Sequence, residues 1–211
     1  FFVRKLQLFT IDWLMTEFVP VFIIPIIILF QPEFRRALLR LGQNPVFRMF
    51  LKSEQQEMTN EIIKAVENLS KNKVGALIAI ERDIGLGNFV ETGTKLNADV
   101  SSELIGTIFW PNSPLHDGAI IIREQKISAA GCLLPLTENT ELSKSLGTRH
   151  RAGIGLTEET DAIVIVVSEE TGAISTGFKG VLNRNIDEKG LKKILDELST
   201  ERFGVARSTQ M

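Results

Sequence analysis

Three short polar segments of the sequence combine side chains that can bind a phosphorylated ligand or a metal ion. The first is NSPLHDGA, residues 112–119, in which His116 and Asp117 come just before an apolar run. An Asp in such a loop can orient a hydroxyl group or a divalent metal, and a His can complete the metal's ligands. Gly118 has no Cβ and so allows a ligand to approach the backbone closely. The same pattern is also typical of an ordinary helix-to-strand turn, in which Pro and Asp-Gly are common.

The second segment is GTRHR, residues 147–151, at the start of a predicted helix. A cation in the first helical turn faces the positive end of the helix dipole, which costs about 0.3–1 kcal/mol. Arg149 and Arg151 would both be unfavourable there unless an anion lies between them. Free backbone N–H groups at the helix start would also bind such an anion. The segment therefore predicts an anion site, which a phosphate chain fits.

The third segment is SEETG, residues 168–172, which directly follows the apolar run DAIVIVV. Glu170 can bind a metal alongside His116, and Ser168 can donate a hydrogen bond to a phosphate oxygen. We expect Glu169 to be a solvated turn residue. The three segments form one site only if the fold brings them together.

The hydrophobic periodicity predicts an α/β domain of the mixed α+β kind, in which a single mixed β-sheet is flanked by helices. Ser101, Thr148 and Asp187 are the predicted N-caps of three helices. Each polar segment then lies at the end of a strand or at the start of a helix, where binding groups collect. Predicted helices cover residues 53–70, 101–110, 148–159 and 187–198, and predicted strands cover residues 75–80, 119–122, 127–134, 161–167, 173–178 and 181–185.

The N-terminal part of the chain contains the uncharged run FVPVFIIPIIILF, residues 18–30. A membrane-spanning helix needs about 20 apolar residues, and extending the run back to Ile11 reaches that length but includes Asp12 and Glu17. The run is apolar on every face and contains two prolines, which suits lipid better than the alternative, a buried core helix. Arginines follow it at positions 35, 36, 40 and 48, as is typical of the cytoplasmic end of a span.

These features divide the chain into three predicted parts. Residues 1–30 are predicted to form an N-terminal transmembrane helix, the last span of a truncated membrane region. Residues 31–53 are predicted to be a helical connector. Residues 54–211 are predicted to be a cytoplasmic domain that carries all three polar segments.

Composition and charge exclude several other classes of protein. The single cysteine, Cys132, excludes an intramolecular disulfide framework, and its apolar neighbours predict a buried thiol rather than a catalytic one. With two histidines in the chain, a zinc site of His and Cys ligands is hard to assemble. The first 50 residues hold six of the 24 basic and three of the 26 acidic residues, which leaves 18 and 23 for the rest. That acidic balance predicts no nucleic-acid partner.

The motifs HDGA, GTRHRA and SEETG, which end at Ala119, Ala152 and Gly172, resemble those of the diadenylate cyclase family in order and separation. The resemblance covers residues 54–185, and the segment FQPEFRR after the apolar run resembles the membrane-bound type. It implies a nucleotidyltransferase at the cell membrane, with its catalytic domain in the cytoplasm. Such an enzyme condenses two ATP into cyclic di-AMP and two pyrophosphates.

The resemblance also implies roles for individual residues. Two subunits would meet face to face as a homodimer, and the ribose 3′-hydroxyl of one ATP would attack the α-phosphorus of the other. The catalytic residues would be Asp117, which orients or deprotonates that hydroxyl, together with Arg149 and Arg151. Mg²⁺ or Mn²⁺ would be bound by His116, Asp117 and Glu170. The nucleotide would contact Gly118, Ala119, Gly131, Leu133, Leu134, Thr148, Arg149, His150, Ser168 and Glu170.

Leu133 departs from the pattern, because members of the membrane-bound type often have a tyrosine there that stacks near the adenine. Members of the family are reported to work with a membrane-anchored regulator and with phosphoglucosamine mutase, which we therefore expect as partners. Three alternatives stay open: a catalytically silent nucleotide-binding regulatory module, a DNA-scanning cyclase with a helical extension and a DNA-binding tail, and a membrane-tethered scaffold. The presence of Asp117, Arg149 and Arg151 favours the enzyme.

Overall fold

The computed structural model describes residues 45–139 and 146–202, together with residues 13, 22–23 and 25–34. The chain divides into two compact units, Phe1–Ser53 and Glu54–Met211. In the first unit, residues 25–34 are helical, and their large apolar side chains are exposed. No helix within the described part of the chain has the length and apolar character needed to cross a membrane. Most of the predicted transmembrane segment and residues 35–44 of the connector lie outside the described residues.

The single mixed sheet that the periodicity predicts forms the centre of the second unit, and it has seven strands. Its spatial order is β2-β4-β3-β1-β5-β6-β7, in which β1 and β3 are parallel and every other neighbouring pair is antiparallel. The strands are β1 (Ala76–Ile80), β2 (Thr94–Asp99), β3 (Ala119–Arg123), β4 (Lys126–Cys132), β5 (Ile163–Val167), β6 (Ile174–Phe178) and β7 (Val181–Arg184).

Helices cover both faces of this sheet. They are α1 (Pro45–Lys71), α2 (Gly87–Val90), α3 (Ser102–Phe109), α4 (Thr148–Glu159) and α5 (Glu188–Arg202). Alternate residues of β5 enter opposite apolar layers, because successive side chains of a strand point to opposite faces. Ile163 and Ile165 pack in the layer that includes residues of α1, α3 and α5. Val164 and Val166 pack in the layer that includes residues of α4. The fully apolar run of β5 is thus explained by burial on both sides.

Two of the three predicted helix caps are confirmed. The Oγ of Ser101 accepts a hydrogen bond from the backbone N–H of Leu104 at 3.2 Å, and an Oδ of Asp187 accepts one from Gly190 at 2.9 Å. The prediction that Thr148 caps α4 is wrong, because Gly147 occupies the cap position and its carbonyl accepts from the first turn. Because the cap residue is a glycine, it has no side chain that accepts a hydrogen bond from the first N–H groups of α4.

Two short elements, α2 and β2, are absent from the sequence prediction. β2 reads TKLNAD, and its Lys, Asn and Asp are depleted in strands; its pairing with β4 is interrupted by a bulge between Lys95 and Ala98. The strand over residues 127–134 was predicted two residues too long. β4 ends at Cys132, because the N–H of Leu133 donates to the Oγ1 of Thr92 at 2.9 Å instead of to the sheet.

Two helical glycines give a matched test of how closely α4 packs against the chain segment 135–137. A Cβ on Gly155 would lie 2.2 Å from the carbonyl oxygen of Pro135 and 2.8 Å from the backbone nitrogen of Thr137. A Cβ on Gly106 in α3 would meet nothing within 4 Å. Gly155→Ala should therefore lower the free energy of unfolding by about 1–3 kcal/mol through overpacking. Gly106→Ala should raise it by about 0.5–1 kcal/mol, since alanine favours the helix.

Urea unfolding of the purified chain, followed by circular dichroism, measures both changes. Equal effects of the two substitutions would contradict the close packing of α4 on residues 135–137.

Candidate active site

A cavity of about 400 Å³ lies at one edge of the sheet and is lined by parts of all three polar segments. The strand directions explain why they meet. β1 and β3 are parallel and so begin at the same edge, whereas β4 and β5, each antiparallel to one of them, end there. The loop before β3, the residues after β4 and the loop after β5 therefore converge beside the N-terminus of α4.

Most of the residues predicted for the site line this cavity. Those that do are Asp117, Gly118, Leu133, Leu134, Thr148, Arg149, His150, Ser168 and Glu170. Seven more residues that were not predicted for the site also line the cavity: Leu77, Cys132, Leu136, Gly147, Ala152, Val167 and Glu169. Several of these are apolar residues of strands or helices. They line the cavity because of how the strands pair, and local sequence patterns carry no information about that pairing.

Four predicted residues are not part of the cavity lining: His116, Ala119, Gly131 and Arg151. Ala119 is fully buried in the apolar layer that includes residues of α4. Arg151 is half-buried, and its carbonyl accepts a hydrogen bond from the N–H of Thr137 at 3.2 Å. Of the two arginines predicted to enclose an anion, the structure therefore places only Arg149 in the cavity wall.

Gly118 allows the loop before β3 to pack tightly on the end of β4. Its φ of +117° is in the left-handed region, and a Cβ there would lie 2.7 Å from the carbonyl carbon of Gly131 and 2.8 Å from the carbonyl oxygen of Cys132. Gly131 itself has a φ of +67°. The two glycines thus fix the position of Asp117 through backbone packing.

The guanidinium of Arg149 joins the three segments. Arg149 lies in the first turn of α4. Its Nη1 donates a hydrogen bond to the Oε2 of Glu169 at 2.5 Å, and its Nη2 donates one to the carbonyl oxygen of His116 at 3.4 Å. Glu169 is the exposed turn residue that the sequence predicts, but the prediction missed its ion pair with Arg149. Its carboxylate is the anion that offsets the unfavourable position of Arg149 near the helix N-terminus. The buried Nε of Arg149 has no hydrogen-bond partner within the described residues.

Two buried groups of the cavity wall stay uncharged at neutral pH. Burial lowers the pKa of His150, the positive charge of Arg184 lowers it further, and Glu170 acts in the opposite direction. Burial raises the pKa of the Cys132 thiol to about 11. A protonated thiol is a weak nucleophile, so the prediction of a buried, non-catalytic Cys132 agrees with its surroundings.

The residues predicted to hold a metal are only partly arranged to do so. The Nδ1 of His116 lies 2.5 Å from the carbonyl oxygen of Ser113, which can only accept. In the neutral imidazole the proton therefore sits on Nδ1, and the Nε2 lone pair is free for a metal, as in many metal-binding histidines. Asp117 and Glu170 are exposed at the cavity. Within residues 45–139 and 146–202, however, no group of three or more His, Cys, Asp or Glu side chains is assembled into a metal site.

An open cavity at strand ends, next to an uncapped helix N-terminus and an arginine, defines a site for a phosphorylated small molecule. Residues 63–182 match the family described as DisA bacterial checkpoint controller nucleotide-binding, known in short as DAC. The chain therefore belongs to the diadenylate cyclase family.

Individual relatives agree with this assignment. Cyclic di-AMP synthase CdaA of Bacillus subtilis is 48% identical over 196 residues, which are 92% of this chain and 72% of that protein. The crystal structure of a double mutant of DacA from Staphylococcus aureus superposes with a TM-score of 0.68 at 44% identity, over 69% of this chain and 97% of that one. A hypothetical membrane spanning protein from Bacillus cereus superposes with a TM-score of 0.61 at 34% identity, over 87% of this chain and 94% of that one.

The lowered pKa of His150 predicts a loss of stability in mild acid. The unfolded chain takes up a proton on this imidazole near pH 6.5, whereas the folded chain takes it up only at lower pH. The free energy of unfolding should therefore fall as the pH drops below about 6.5, until the folded pKa is passed. Urea unfolding between pH 5 and pH 8 measures this dependence.

The variant His150→Gln is the comparison for this measurement, because it keeps a polar side chain that does not titrate. Its free energy of unfolding should depend less steeply on pH between 5 and 6.5. The same slope in both proteins would show that His150 is not the group responsible.

Proposed function

We propose that the chain acts as a diadenylate cyclase whose 400 Å³ cavity binds one ATP and presents it to the ATP of a second copy. One observation carries the proposal: Asp117, the start of α4 with Arg149, and Glu170 line the same cavity. These groups match the needs of nucleotidyl transfer, which depends mainly on positioning of the phosphates and on charge neutralisation.

The start of α4 is the proposed site for the triphosphate. Its first backbone N–H groups have no side-chain cap, and the helix dipole favours an anion there. Thr148 and Arg149 lie in the first turn, and Ser168 lines the cavity beside them. The guanidinium of Arg149 supplies positive charge in the cavity wall beside them.

The adenine is proposed to lie against the residues after β4. The N–H of Leu133 is already donated to Thr92, so recognition of the base by the backbone falls to Leu134. The side chain of Leu133 is 69% exposed at the cavity and offers an apolar surface to the base instead of an aromatic ring. We therefore expect weaker base stacking than a tyrosine would give.

Asp117 is the proposed acceptor of the proton from the attacking hydroxyl. The ribose 3′-hydroxyl of one ATP forms a new bond to the α-phosphorus of the other ATP, the bond from that phosphorus to pyrophosphate breaks, and the hydroxyl proton passes to Asp117. The same exchange in the other direction closes the ring of cyclic di-AMP. The carboxylate of Asp117 is exposed, so it can reach a nucleotide held by a facing subunit. Arg151, which lies outside the cavity lining, is assigned no step in this scheme.

His116, Asp117 and Glu170 are the proposed ligands of a divalent metal, Mg²⁺ or Mn²⁺. The orientation of His116 fits this role, because its Nε2 lone pair is free. A site completed by the substrate's own phosphates is usual for Mg²⁺ and requires only one or two carboxylates from the protein. When bound, the metal would neutralise charge on the triphosphate.

The size of the cavity and the N-terminal part of the chain support a proposal for assembly and location. The cavity suits one nucleotide and the product contains two, so we propose a face-to-face homodimer. The exposed apolar side chains of Ile26, Ile27, Ile28, Leu29 and Phe30 support membrane attachment through residues 1–30. Residues 54–211 would then form the catalytic domain in the cytoplasm.

Asp117→Asn tests the proposed proton acceptor without changing the shape of the cavity. The rate of cyclic di-AMP formation from ATP with Mg²⁺ or Mn²⁺ should fall by about 10²–10⁴-fold, the usual contribution of a general base. ATP affinity in the absence of divalent metal, measured by calorimetry, should change little, because the triphosphate is assigned to the start of α4. Product is quantified by liquid chromatography and mass spectrometry.

Asp99→Asn is the matched control, because the side chain of Asp99 is 92% exposed on β2 and pairs only with Lys126 at 3.6 Å among the described ion pairs. It should leave the rate unchanged. An Asp117→Asn protein as active as the control would exclude Asp117 as the base. ATP binding without product from the unmodified chain, across both metals and a range of protein concentrations, would favour the regulatory-module alternative.

A further inference from the structure

The position of Arg149 depends on a glycine that lies outside all three polar segments. Gly75 directly precedes β1 and is buried. A Cβ on Gly75 would lie 2.6 Å from Nη1 and 3.1 Å from Cζ of Arg149, and 2.8 Å from Oε2 of Glu169. The three nearest atoms therefore all belong to the ion pair between Arg149 and Glu169.

The backbone at position 75 gives no separate reason for a glycine. Gly75 is not among the residues with positive φ, so an alanine can adopt its conformation without strain. The space that a Cβ at position 75 would fill is occupied by the guanidinium of Arg149. None of the three nearest atoms belongs to the backbone, so the glycine leaves room for the ion pair between Arg149 and Glu169.

Glu169 is well placed to hold the guanidinium over Gly75 but not to stabilise the fold. Its side chain is 65% exposed, and ion pairs that are open to solvent contribute little to stability. The contact nevertheless fixes one end of the guanidinium at 2.5 Å, while the carbonyl of His116 fixes the other at 3.4 Å. Arg149 is then oriented before any ligand arrives, with Nε unpartnered.

We propose that Gly75 and Glu169 are positioning residues for Arg149: Gly75 provides the space for the guanidinium, and Glu169 holds it there in the nucleotide-free protein. Pre-orientation of a charged group lowers the cost of ordering it when the nucleotide binds. The role rests on the proposed function, since Arg149 is assigned to the triphosphate.

Gly75→Ala tests the space above the glycine. The new methyl group should displace the guanidinium and reduce kcat/KM for cyclic di-AMP formation by about 10- to 100-fold, as expected for a misplacement of about 1 Å. ATP affinity should weaken as well. The free energy of unfolding should stay near that of the unmodified chain, because only the ends of two flexible side chains must move. Gly85→Ala is the control, since a Cβ there meets nothing within 4 Å.

A double-mutant cycle separates positioning from a general structural effect. In the background of Arg149→Ala, the additional change Gly75→Ala should no longer weaken ATP binding, because the group it displaces is gone. Equal losses from Gly75→Ala in both backgrounds, or a Gly75→Ala protein as active as Gly85→Ala, would overturn the proposal. The affinity cycle decides this even if the unmodified chain forms no cyclic di-AMP, a result that would overturn the proposed function instead.

Substitutions of Glu169 provide an independent test on the protein surface. Glu169→Ala should reduce kcat/KM, and Glu169→Gln, which keeps a hydrogen-bond acceptor, should restore part of the loss. Higher ATP affinity and a faster reaction in both variants would mean that Glu169 competes with the nucleotide for Arg149, and would overturn the positioning role.

Discussion

The guanidinium of Arg149 is the contact on which the geometry of the site depends. Each of its bonds reaches a different part of the chain: Glu169 follows β5, and His116 precedes β3. A lysine could not replace it, because a single ammonium group lacks the planar fork that makes two directed contacts at once. The pair with Glu169 also resolves the conflict between a cation and the positive end of the α4 dipole.

The position of α4 is fixed in turn by glycines that allow close packing. A Cβ on Gly153 would lie 2.9 Å from Val164 and 3.3 Å from Val166, so α4 approaches β5 closely. Gly155 allows residues 135–137 to cross the helix on another side. Because interiors are packed as densely as organic crystals, a shift of α4 would be transmitted directly to Arg149 and to the wall formed by Leu136.

Local sequence patterns predicted the elements that local forces determine. The cap at Ser101, the strand buried on both faces at β5 and the three polar segments all follow from short-range chemistry. β2 was missed because its polar residues and its bulge hide the alternation of a strand. The roles of Gly75 and Glu169 were missed for a different reason. They depend on contacts with Arg149, which is 74 residues from Gly75 and 20 from Glu169 along the chain, and on the antiparallel pairing of β1 with β5, which sets Ala76 opposite Val167.

The convergence of the segments follows from sheet topology, which no spacing in the sequence specifies. The strands β1 and β3 are parallel and begin at one edge of the sheet. Their antiparallel neighbours β5 and β4 end at the same edge. A crystal structure of the chain with an ATP analogue that cannot lose pyrophosphate tests the resulting account most directly. We predict the phosphates at Thr148 and Arg149, the ribose beside Asp117 and the base against Leu134. A separate cavity is lined by Trp110 and Asn112, and binding of the analogue there would contradict the account.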